Sequence, residues 1–132
     1  MEEEIFSISK SPVRAKALKD MAVDRLNDIK IETKPYKITE QYYEVIKELI
    51  TALMYSDGFK TLSHKSLIDY LRKNYFKHFN ENDLIIIDEL RRLRNDILYY
   101  GKKVDSSFLA NREGDIKKII GKLLKVIGQK QG

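Results

Sequence analysis

Four side chains of one segment, those of Arg91, Arg94, Asn95 and Tyr99, have the chemistry needed to bind a phosphate or a nucleotide. A guanidinium can donate two parallel hydrogen bonds to one phosphate, while an amide and a phenol supply further hydrogen bonds. Because residues follow one another about 100° apart around a helix, Arg91, Asn95 and Tyr99 lie along one side of it. We therefore predict a polar strip of Arg91, Asn95 and Tyr99 beside Arg94, with side chains suited to bind a phosphate. The alternative is an ordinary solvated helix face.

The surroundings of Arg94 leave two interpretations of this residue open. At helical spacing it projects between Leu90 and Ile97 on one side and Ile87 and Leu98 on the other. Burial of an unpaired charge costs several kcal/mol, so an arginine in an apolar arc needs a partner or must extend outward to water. The partner is either a carboxylate at the edge of the core or a phosphate at a subunit interface. For the second case we predict a homodimer with Arg94, Ile87 and Leu98 at its interface.

The composition excludes several other kinds of site. The chain has no cysteine and two histidines, His64 and His78. Disulfides, thiol catalysis and zinc ribbons are therefore excluded, and a histidine-based metal site would need added carboxylates. The sequence contains no HExxH or DxDxDG motif and no glycine-rich phosphate loop. We expect no metal ion and no cofactor, and we assign structural roles to both histidines.

Charge is concentrated at the C-terminal end of the chain. The net charge is +5, and from Gly101 onward eight Lys or Arg residues stand against three acidic ones. A basic end favours binding to phosphate polymers or anionic surfaces, although a solvated lysine-rich helix face is the alternative. The acidic start and the lack of an apolar run of about eighteen residues do not favour export or a membrane span. We expect a soluble, cytoplasmic protein.

The apolar residues keep a helical period throughout, and no strand pattern is present. In the clearest helix, Asn80 is a candidate N-cap, Asp83 can close a capping box, and Gly101 is a natural end. Its apolar seam comprises Ile86, Leu90, Leu93, Ile97 and Tyr100, extended by Ile87 and Leu98.

Four further helices are predicted around this one. Their limits are Pro12 to about Ile31, Thr39 as cap to about Ser56, His64 to Tyr75, and Asp115 to Ile127 after an interruption at Gly114. Short connections between them favour an all-α, antiparallel up-and-down bundle of four to five helices. We predict an N-terminal arm over residues 1–10, a single domain over 11–128 and a tail over 129–132. Glu44 and Glu48 are the carboxylates best placed to pair with arginines of the long helix.

The order of several short motifs resembles the HEPN domains, the higher eukaryotes and prokaryotes nucleotide-binding family. The motifs are Tyr42-Tyr43-x-x-Ile46, then Gly58, then Ser63-His64-Lys65-x-Leu67-Ile68, and finally Leu93-Arg94-Asn95-Asp96-x-x-Tyr99-Tyr100-Gly101. The resemblance spans roughly residues 11–127, with its specific part in about 42–101. It implies a compact helical bundle, commonly a homodimer, that binds RNA or nucleotides or cleaves RNA without a metal. Some members partner small nucleotidyltransferases in toxin–antitoxin pairs.

The family motif has an arginine, a polar residue and then a histidine, and this chain has Tyr99 at the histidine position. Tyrosine stays protonated to about pH 10, whereas histidine titrates near 6.5, so Tyr99 is a poor general base. From the resemblance we therefore expect a dimeric RNA- or nucleotide-binding module without the standard ribonuclease activity. Its binding residues are expected to be Arg94, Asn95, Arg91 and Tyr99. The alternatives are a metal-independent endoribonuclease using Arg94, Asn95 and Tyr99, or a protein partner of a separately encoded nucleotidyltransferase.

Overall fold

The computed structural model describes residues 4–131, which form five α-helices and one short two-stranded sheet. The predicted all-α bundle is confirmed. The elements are β1 (Ile5–Ser7), α1 (Pro12–Ile29), α2 (Pro35–Asp57), β2 (Phe59–Thr61), α3 (His64–Asn74), α4 (Glu81–Tyr100) and α5 (Ser106–Gln131). Residues 1–3 of the predicted arm and residue 132 of the predicted tail lie outside the described residues.

Helix α2 lies at the centre of the bundle. Ser11, just before α1, donates its backbone N–H to the carbonyl of Tyr55 near the end of α2, so the two helices are antiparallel. Helix α5 runs parallel to α2, since Tyr42 bonds Glu113 and Asp57 pairs with Lys130. The core packs against α2 from all sides because most of its apolar side chains are buried, among them Tyr42, Tyr43, Val45, Ile46, Leu49, Ile50, Leu53 and Met54.

The long helix α4 has the limits that its local signals predict. Asn80 and Asp83 form the capping box, and Gly101 ends the helix in the left-handed conformation at φ +63°. Helix α5 packs antiparallel to α4, with Lys122 pairing with Asp83. Ile86, Leu90 and Ile97 of the predicted seam are buried, whereas Leu93 is half-buried and Tyr100 is exposed.

Three of the predicted helix limits are wrong, and one of them is the end of α5, which continues past Ile127 to Gln131. Helix α2 begins at Pro35, with Lys34 as its N-cap, and the Thr39 hydroxyl bonds the Pro35 carbonyl from inside the helix. Helix α5 passes through Gly114 without interruption. Leu109 and Ile116 on either side of Gly114 are buried, and their burial outweighs the cost of about 1 kcal/mol for one glycine in a helix.

The absence of strands was also a wrong prediction. Strands β1 and β2 pair antiparallel, with Ile5 opposite Thr61 and Ser7 opposite Phe59. Three-residue strands are too short to show an alternating pattern. The sheet connects residues 5–7 of the predicted arm to the turn after α2, where Gly58 has φ +92° and its carbonyl accepts the N–H of Ile8.

Candidate phosphate-binding site

The Arg94 side chain lies between α4 and α2 and is 15% exposed. Its Nη2 atom donates to Oε2 of Glu44 at 2.9 Å, and the other oxygen of Glu44 pairs with Lys47 at 2.9 Å. The guanidinium carbon is 5.5 Å from the centre of the Tyr43 ring, a cation–π contact. The structure therefore gives Arg94 the carboxylate partner that was one of the two alternatives, and it holds the guanidinium in one orientation.

Tyr43 connects Arg94 to a histidine that sequence reasoning treated as structural. The Tyr43 hydroxyl lies 2.9 Å from Nδ1 of His64, and the two ring centres are 5.6 Å apart. Ser63 caps α3 and so places His64 in its first turn, next to α2. Tyr43 thus contacts both His64 and Arg94, and these two contacts join three separate helices. No spacing in the sequence could have indicated them.

The protonation states in this pair follow from the pKa values. Burial raises the pKa of Tyr43 to about 12, so its hydroxyl keeps its proton at neutral pH. Burial and the positive charges of Lys47 and Arg94 lower the pKa of His64, so its imidazole is neutral there. The Tyr43 hydroxyl and Nδ1 of His64 therefore share a hydrogen bond between two neutral groups, and the tautomer of the imidazole decides which of them donates.

Burial and two cationic partners have opposite effects on the pKa of Glu44, and the combined effect of the partners is the larger. Burial by itself would raise the pKa of Glu44, whereas hydrogen bonds and charge from Lys47 and Arg94 lower it, and the net pKa is lowered. Glu44 is therefore a carboxylate at neutral pH. It neutralises part of the charge of its two partners and fixes their positions.

The other predicted site residues also lie on α4, Arg91 before Arg94 and Asn95 and Tyr99 after it. Arg91 pairs with Asp88 at 2.8 Å, and Arg92 pairs with the other oxygen of Asp88 at 2.9 Å. The Asn95 side-chain oxygen accepts a long hydrogen bond of 3.4 Å from Arg94. Tyr99 is 68% exposed. Arg94 and Asn95 therefore touch, Arg91 lies one turn before Asn95, and Tyr99 lies one turn beyond it at the surface.

Cations outnumber carboxylates in the ion pairs that Arg94 and its neighbours on α2 and α4 form. The cations are Lys47, Arg91, Arg92 and Arg94, and the carboxylates that pair with them are those of Glu44 and Asp88. Burial is the main cause of the lowered pKa of His64, and the charges of Lys47, Arg94 and Arg91 add to it while Glu44 opposes them. Such an excess attracts an anion.

The three residues predicted for a dimer interface have different surroundings. Ile87 is 1% exposed and packs in the core of a single subunit, whereas Leu98 is half exposed. In this conformation Leu98 and the edge of Arg94 are accessible to a second copy, and Ile87 is not.

One carboxylate pairs differently from the prediction. Glu48 does not contact the long helix: its Oε2 accepts from Nε of Arg25 on α1 at 2.9 Å, and Arg25 also bonds Gln41. Glu44 and Glu48 therefore lie one turn apart on α2 and serve opposite neighbours, α4 and α1. The expected pairing of Glu44 with an arginine of α4 is confirmed, and that of Glu48 is wrong.

Within residues 4–131, no group of three or more histidine or acidic side chains is arranged to hold a metal ion. None of the described helices is long and apolar enough to cross a membrane. No protein-family model, curated protein or solved structure was found to match this chain. The side chains around Arg94 present donors: guanidinium and ammonium groups and the Asn95 amide. Such a set is suited to binding a phosphate oxygen.

Proposed function

We propose that this chain is an HEPN-like, homodimeric module that binds RNA or a nucleotide through phosphate. Arg94 is the principal phosphate ligand, and Arg91, Asn95, Tyr99 and His64 support it. The observation that carries the proposal is the recessed Arg94 guanidinium, held by Glu44 and Tyr43 among ion pairs in which cations outnumber carboxylates.

Glu44 is a positioning group in this proposal. A guanidinium has five N–H donors, and Glu44 takes one of them at 2.9 Å, while Asn95 accepts another at 3.4 Å. The remaining donors are available for an anion that approaches from the Arg91 side. Because the Arg94 side chain is already ordered by Glu44 and Tyr43, little rotamer entropy is lost when the anion binds.

Two features favour binding over cleavage. Metal-free RNA cleavage needs a group that accepts the proton of the 2′-hydroxyl. Tyr99 is a phenol and a poor base at neutral pH. His64 is a weak base as well, because burial and the charges of Lys47 and Arg94 lower its pKa, and its Nδ1 is hydrogen-bonded to the Tyr43 hydroxyl.

The test is fluorescence anisotropy with a labelled RNA oligonucleotide over a range of salt concentrations. We expect native binding to weaken steeply with salt, because phosphate contacts release counterions. Arg94→Gln should weaken binding about tenfold or more, the value of a lost charged hydrogen bond. Binding that is flat with salt, or unaffected by Arg94→Gln, would contradict the proposal.

Arg14→Gln is the matched control. Arg14 lies over the Tyr55 ring at 5.6 Å, as Arg94 lies over Tyr43 at 5.5 Å, so both variants remove one charge and one cation–π contact. Tyr55 and Tyr43 are twelve residues apart on α2, which is about 18 Å along the helix. An equal loss in both variants would indicate general attraction to a basic protein. Analysis of the same RNA after incubation with a chelator tests the ribonuclease alternative, since Arg94-dependent cleavage would contradict a binding-only role.

A further inference from the structure

Three large side chains are exposed together where α4 ends. Leu98, Tyr99 and Tyr100 are 50%, 68% and 82% exposed, and the exposed Lys102 and Lys103 follow them. We call residues 99–103 the tyrosine–lysine segment. Exposed aromatic rings beside cations are typical of surfaces that bind unpaired nucleic acid, because each base has a face on which a ring can stack.

The end of α4 is well ordered. The N–H of Gly101 bonds the carbonyl of Ile97 at 3.1 Å, and the N–H of Lys102 bonds that of Asp96 at 3.2 Å. Gly101 adopts the left-handed conformation that this pair of bonds requires. The last turn is therefore closed, and the two tyrosines project from a defined backbone.

The positions of these tyrosines relative to Arg94 restrict what can touch both. Tyr99 is five residues after Arg94, which is about 7.5 Å along the axis and about 140° around it. Tyr100 is about 120° away from Arg94 in the other sense. A ligand in contact with Arg94 and these rings must bend around a helix about 10–12 Å in diameter. Duplex nucleic acid, which is stiff over about 150 base pairs, cannot follow that path, whereas a single strand can.

We propose that the ligand of this protein is single-stranded RNA, which wraps around the last turn of α4. A phosphate binds at Arg94, the strand passes Asn95, and unpaired bases stack on Tyr99 and Tyr100. The two lysines of the tyrosine–lysine segment accompany the sugar–phosphate backbone. This inference rests on the proposed function and specifies its substrate class. In a duplex the base faces are covered by their neighbours, so the two rings would find no partner.

The experiment compares three labelled RNA probes of equal length by anisotropy: a single strand, the same strand in a duplex, and a strand of abasic sugar–phosphate units. We expect the single strand to bind about tenfold or more tightly than the other two probes. Tyr99→Ala and Tyr100→Ala should each weaken binding of the single strand about tenfold and leave the other two probes unchanged. Tyr99→Phe keeps the ring and should retain the affinity.

Tyr36→Ala is the matched control, because Tyr36 is an exposed tyrosine in the first turn of α2. Arg94-dependent binding that is equal for the single strand and the duplex would overturn this inference and leave the proposed function standing. If Arg94→Gln left the binding of all three probes unchanged, the proposed function itself would be contradicted. Tyrosine variants that change the sedimentation coefficient but not RNA binding would show that the segment contacts a second copy, which also overturns the inference.

Discussion

Helix α2 pairs with two arginines, Arg94 and Arg25, which belong to two different neighbouring helices. Each pairs with a glutamate of α2 at 2.9 Å, Arg94 from α4 and Arg25 from α1. Glu44 also pairs with Lys47, so it has two cationic partners. Glu48 is more deeply buried, and its second oxygen has no hydrogen-bond partner among the described residues. The Arg94 pair is therefore the one with cationic donors left over for a ligand.

His64 should make the stability of the protein depend on pH. Its pKa in the folded chain is lowered by burial and by Lys47 and Arg94, whereas the unfolded chain has the ordinary value of about 6.5. Below that value the unfolded chain binds more protons, so the free energy of unfolding decreases as pH falls from about 6.5 towards the folded pKa. His64→Gln should remove this part of the slope.

Urea unfolding of the native protein and the variant between pH 7.5 and 5.0 measures the difference. His78→Gln, at an exposed histidine that does not touch Tyr43, is the control. A native slope that is unchanged in His64→Gln would show that His64 titrates alike in both states.

At the scale of elements, α5 contains glycines that its own packing does not require. Gly114, Gly121 and Gly128 are all exposed, and nothing lies within 4 Å of the position that a Cβ would occupy at any of them. Each lies in regular helix, where glycine costs more backbone entropy than alanine. The burial of Ile116, Ile119 and Leu123 holds the helix together in spite of them.

Gly121→Ala should therefore stabilise the protein by about 0.5–1 kcal/mol, measured as the free energy of unfolding in urea. Gly101→Ala is the contrasting variant, because its surroundings are equally open while its φ of +63° strains any residue with a Cβ. We expect that variant to be destabilised by about 1 kcal/mol. Equal effects of the two substitutions would mean that backbone conformation is not what distinguishes these glycines.

At the scale of the whole molecule, α2 connects every other helix. Tyr42 bonds Glu113 of α5, Tyr43 bonds His64 of α3, and Asp57 pairs with Lys130 near the end of α5. The Arg94 site lies within this bundle, between α4 and α2. A homodimer through Leu98 would place two such sites close together.

Leu98→Glu should convert that dimer to a monomer, since a carboxylate in an apolar contact loses its hydration without gaining a partner. Sedimentation at micromolar concentration measures the change. Ile85→Glu is the matched control, because Ile85 is an exposed aliphatic residue on another side of α4. A native protein that sediments as a monomer would contradict the proposed dimer directly.

The amino-acid sequence by itself determined the features that depend on neighbours within about four residues. The capping box of Asn80 and Asp83, the Ser63 cap and the left-handed Gly101 are all local, and they set the limits of α4 and the start of α3. The helical period of the apolar residues determined the all-α bundle in the same way.

Only the tertiary structure decided which distant residues meet. Three contacts between separate elements are examples: the pairing of Ile5 with Thr61, the contact of Tyr43 with His64, and the salt bridge of Arg25 with Glu48. Such contacts depend on how the helices pack, and a local pattern carries no information about packing. For the same reason α5 continues through Gly114: the burial of its apolar face against the bundle, absent from any local signal, exceeds the cost of one glycine.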